Sequence, residues 1–72
     1  MSISTTLIEK MADYEASTGI KPGAIYLGEH EMALLKKWVY VTFDRTFHVS
    51  DGPEFHGVKV FKVYADRHVG IG

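Results

Sequence analysis

Apolar residues recur at Ile3, Leu7, Ile8, Met11 and Tyr14, with Glu9, Lys10 and Asp13 between them. This three-to-four-residue spacing lays one apolar stripe along a helix. Thr6 followed by Glu9 has the form of a capping box, and Ser2 or Ser4 offers an earlier start. Gly19 supplies a left-handed stop, and Pro22 cannot continue the helix. The period then changes. "AIYL", Ala24 to Leu27, is wholly apolar and bounded by glycines, which reads as a strand buried on both faces. After Gly28, "EHEMALLKKW" returns to helical spacing. Glu29 and Glu31 stand at its start and Lys36 and Lys37 at its end, an order that complements the helix dipole. Its buried edge is Met32, Leu35 and Trp38, or Leu34 and Trp38.

From Trp38 onward "WVYVTF" alternates β-branched and aromatic residues, so an extended segment is expected there. Asp44-Arg45 separates it from "TFHV", which pairs with it in a register that the dipeptide does not fix. "SDGPEFHG" reads as a loop centred on Gly52-Pro53. In the strand "VKVFKVY", Val58 and Val60 share one face while Phe61 and Val63 share the other. Two arrangements answer this double phase: a central strand packed on both sides, or a bulge near Val60-Phe61. Lys59 and Lys62 favour the bulge, because it keeps them solvated. Asp66-Arg67 marks a turn, and "HVGI" a short closing strand. The expected fold is one α+β domain over residues 1–72, with two helices packed on a small, mainly antiparallel sheet in the order α-β-α-β-β-β-β.

Charge changes the functional picture more than composition does. Eight basic and nine acidic residues nearly cancel, and neither half of the chain is markedly basic. General nucleic-acid binding is therefore disfavoured, because a phosphate backbone rewards a basic footprint. With four Phe, four Tyr and one Trp, the chain has the apolar surface to fold. It has no Cys, hence no disulfide framework, thiolate metal site or Cys nucleophile, which suits a reducing cytoplasm. "MSISTTLIEK" lacks the basic and apolar regions of a signal peptide, and no run of the sequence is long and apolar enough for a membrane span.

No catalytic motif assembles. His30, His48, His56 and His68 form no HxH or HxxxH pair. Convergence of His48, His56 and His68 with Asp51 or Asp66 would need neighbouring strands, and rim positions on a sheet are the expectation. Ser50-Asp51 beside His48 offers the residue types of a nucleophile and base, but no glycine-rich elbow surrounds the serine. Glu29 and Glu31 fit helix-start electrostatics, and no phosphate-loop pattern occurs. The reading is a non-enzyme with no cofactor and no metal. Trp38, Tyr40, Phe43, Phe47 and Tyr64 could form an aromatic β-face able to stack on single-stranded bases, though core positions are the expectation for a chain this short.

Assembly remains, because small sheets must protect their edges or offer them to another chain. The expected interaction face comprises Trp38, Tyr40, Val58, Val60, Phe61, Val63 and Tyr64. "IYLGEHEMALLKKW", followed by "FHGVKVFKVYADRHVGIG", resembles short tailed-phage and prophage proteins. It is also similar to a strand-helix-strand segment of phage major capsid proteins. The matching positions are Ile25, Leu27, Gly28, Leu35, Phe55, Gly57, Val58, Val60 and Val63, within residues 20–72. The resemblance implies structural positions and brings no catalytic residues. It implies a phage or prophage protein made in the bacterial cytoplasm, virion-associated or not, acting through contact with itself or with a phage or host protein. Virion assembly is the leading expectation. Inhibition or modulation of a host protein is the alternative, and a single-stranded nucleic-acid module the third.

Overall fold

The computed structural model describes residues 2–48 and 51–72. Helix α1, Ile3–Thr18, begins where the Ser2 side chain accepts a hydrogen bond from the Thr5 N–H at 3.3 Å. It ends at Gly19, whose φ of 75° is the left-handed cap that glycine adopts without strain, its N–H donating to Glu15 O. Strand β1, Ala24–Leu27, leads into α2, Glu29–Phe43. Strands β2, Glu54–Phe55, β3, Val58–Lys62, and β4, Val69–Ile71, follow.

The four strands form one sheet in the order β2-β3-β1-β4. Strand β1 is central, parallel to β3 on one side and antiparallel to β4 on the other; β2 and β3 are an antiparallel hairpin. A parallel pair needs a long crossover, and α2 supplies it between β1 and β3. The domain is α+β, with a mixed sheet in which two of three pairings are antiparallel.

Both helices pack on one face of this sheet. Ile25 and Leu27 of β1 and Val60 of β3 point into a core with Ile3 and Leu7 of α1, Met32 and Leu35 of α2, and Phe55 of β2. Val69 and Ile71 of β4 pack against it from the same face. The segment 63–68 crosses the start of α2 and satisfies its first backbone donors. Gly28 N–H donates to His68 O, Glu29 N–H to Ala65 O and His30 N–H to Asp66 O, all within 2.9 Å. Lys62 Nζ adds an ion pair with Glu29 at 3.2 Å.

Five expectations are corrected. Trp38–Phe43 is not a strand: it is the second half of α2, which stops only at Asp44 in a left-handed conformation, φ 54°. No hairpin therefore joins 38–43 to "TFHV", whose Val49 lies outside the described residues. Helix wins because it places Trp38 beside Leu35, where its ring meets Phe55 at 5.4 Å. Lys36 and Lys37 consequently sit mid-helix, so the dipole argument holds for Glu29 and Glu31 alone. Strand β1 is covered on one face only, since Tyr26 is exposed between buried Ile25 and Leu27. Finally, β3 has no bulge: its register with β1 is unbroken from Ala24↔Lys59 to Leu27↔Lys62.

Candidate functional site

The seven residues expected to share an interaction face divide among four places. Val60 is 3% exposed and belongs to the core, and half-buried Val58 packs beside it, because strand alternation points both toward the helices. Phe61 lies on the opposite, uncovered face of β3. Trp38 and Tyr40 stand on α2, Trp38 half-buried and Tyr40 exposed. Val63 is half-buried, its N–H donating to Leu27 O, and Tyr64 projects fully into solvent.

Two surfaces emerge instead. The first is the C-terminal end of α2. Helical phase turns Trp38 inward, and leaves Tyr40, Val41 and Phe43 outside at 57%, 72% and 56% exposure. Phe43 bends back to meet Trp38 edge-on at 5.4 Å. Beside it a cleft of about 420 Å³ opens between α2 and residues 45–47 and 53–56, with Trp38, Phe43, Phe47 and Phe55 in its walls. Arg45, Glu54 and His56 also line it, and Lys36 Nζ stands 5.9 Å from the Phe47 ring centre. Its size suits a small ligand or an inserted side chain.

The second surface is the uncovered face of the sheet. Tyr26 and Phe61 are register partners on the two central strands, with ring centres 5.8 Å apart and planes inclined by 24°. Gly70 pairs with Tyr26 from β4 and has no side chain of its own, and the His68 ring lies beside it on this face. Lys59 shares this face with Phe61 by alternation, and Glu54 lies directly opposite it across the hairpin.

The possible aromatic β-face of Trp38, Tyr40, Phe43, Phe47 and Tyr64 does not exist, since three of these are helical and two lie outside the strands; the core positions expected of them fail too at Tyr40, Phe43 and Tyr64, which are exposed. An aromatic sheet face is nonetheless present, built from Tyr26 and Phe61. Tyr26 was hidden in the apolar run "AIYL"; the signal for it was its alternation with Ile25 and Leu27. The histidines are dispersed: His30 opens α2, His56 sits in the β2–β3 turn, and His68 precedes β4. The His48 N–H donates to Asp51 Oδ2 at 2.9 Å, and Ser50 lies outside the described residues. Among the described residues no three His, Asp or Glu side chains are grouped to hold a metal ion, and no helix is long and apolar enough to cross a membrane.

Comparison with known proteins finds no matching family model, no matching curated protein and no matching solved structure.

Proposed function

We propose that this chain is a non-enzymatic binding protein that works by docking the end of α2 onto another protein. The observation that carries this reading is the concentration of Tyr40, Val41 and Phe43, each more than half exposed, on the last turns of one helix beside an apolar cleft. Burying such side chains contributes about 25 cal/mol per Å² removed from water, and aromatic residues dominate the buried centres of interfaces. The resemblance of residues 20–72 to phage and prophage proteins supplies the context: a phage-encoded product made in the bacterial cytoplasm, with a virion structural protein as its partner.

The test is direct binding of the purified protein to the structural proteins encoded beside it, compared with Val41→Glu. Val41 is 72% exposed and outside the buried core, so the variant keeps its helical circular dichroism. Binding by the parent chain and its loss in the variant support the reading. Equal binding by both, or binding by neither, sinks it.

A further inference from the structure

We propose that the uncovered sheet face, centred on the stacked Tyr26–Phe61 pair, is the surface on which two copies of this chain associate about a two-fold axis. It is a different surface from the end of α2, and the inference does not depend on the partner-binding reading.

Two observations carry it. First, two helices cover one face of the four-stranded sheet and no helix or strand among the described residues covers the other, although its centre is aromatic: Tyr26 is 39% and Phe61 46% exposed. A domain of 72 residues has a small core, and association is a common way for such chains to gain stability. Second, the rim of this face is charged with both signs. Lys59 and Glu54 are cross-strand partners on it, and neither takes part in the Lys62–Glu29 ion pair, the one present among the described residues. A polyanion would be attracted by Lys59 and repelled by Glu54. A second copy brings one acid and one base of its own, so a two-fold contact is complementary in charge to itself. The area requirement points the same way. A stable dimer hides about 800 Å² on each partner. The molecule measures 33 × 25 × 24 Å and exposes 4945 Å², so the contact has to use a whole face rather than one helix edge.

The experiment is sedimentation velocity over a concentration series on the full chain, with three variants. Phe61→Arg places a cation at the centre of the face. Glu54→Lys makes the rim single-signed at an exposed position and keeps the proposal testable if Phe61→Arg misfolds. Val41→Glu, on α2, is the control. A dimer of the 8.1 kDa chain is expected, its dissociation constant raised about tenfold or more by either face variant and unchanged by Val41→Glu. A parent chain that stays monomeric up to about 0.5 mM, weaker than any useful dimer, overturns the proposal. So does a dimer that Glu54→Lys and a folded Phe61→Arg leave intact. A labelled single-stranded oligonucleotide that binds the monomer at about 50 mM salt, and is lost in Phe61→Arg, would assign the face to nucleic acid instead.

Discussion

Glu31 on the first turn of α2 accepts a hydrogen bond at 2.8 Å from the His68 N–H, across 37 residues of chain. The glutamate is almost fully buried, and the same histidine returns a bond through its carbonyl to the Gly28 N–H. The two segments lock each other: the loop caps the helix, and a helix side chain holds the loop. Replacing Glu31 by Ala leaves the His68 N–H without its partner. The expected loss is about 1–3 kcal/mol, read from the midpoint of urea unfolding, with Glu31→Gln losing less because it keeps an acceptor.

Gly28 stands where that lock closes. Its φ of −72° is open to any residue, so space alone dictates the glycine. A Cβ there would lie 2.7 Å from Ala65 O and 2.8 Å from the His68 nitrogen, both backbone atoms. Gly28→Ala is expected to cost about 1–3 kcal/mol through forced displacement of the loop. Gly70→Ala would meet chiefly the tip of the His68 ring at 2.9 Å, which can swing away, and should lower the melting temperature far less.

The β2–β3 hairpin turns on His56 and Gly57, with φ of 51° and 79°. Two successive positive values define the turn whose twist matches the flanking strands, and Asn-Gly is its favoured pair. Gly57→Ala meets no atom within 4 Å, so its expected cost of about 1–2 kcal/mol is conformational. His56→Asn is expected to hold or raise the melting temperature, offset by the lost contact of the imidazole with the Phe55 ring.

Leu27 is fully buried on the central strand, whereas Val41 is 72% exposed. Leu27→Ala should destabilise by about 2–5 kcal/mol, enough to leave a domain this size largely unfolded. Val41→Ser should stay within about 0.5 kcal/mol of the parent in the same denaturation assay. A large loss at Val41 would mean that it is packed in solution, most simply by association.

The elements legible in the sequence were those whose signals are local. The stripe from Ile3 to Met11, the stop at Gly19 and the apolar run at Ala24–Leu27 each depend on neighbours within a few residues. "WVYVTF" misled because its β-branched and aromatic residues favour strands, while the outcome was decided by Phe55, a residue twelve positions beyond Phe43 that receives the Trp38 ring only if the helix continues. The hairpin turn is less hidden: His56-Gly57 occupies the place of a turn dipeptide between Phe55 and Val58, although Gly52-Pro53 carries the stronger local turn signal. Of the candidate surfaces, Phe61 and Tyr40 were legible as exposed aromatics. The Tyr26–Phe61 stack was not, because it exists only once strands 35 residues apart align in register.

The position of β1 at the centre of the sheet governs the order in which the molecule can assemble. Both of its neighbours, β3 and β4, come from the last fifteen residues, Val58 to Gly72. A chain emerging in sequence from the ribosome presents two helices and an orphan strand until those residues appear. Such long-range closure is slow relative to local helix formation. The sheet should therefore close in a single cooperative step that waits for residues 58–72, rather than grow strand by strand from β1.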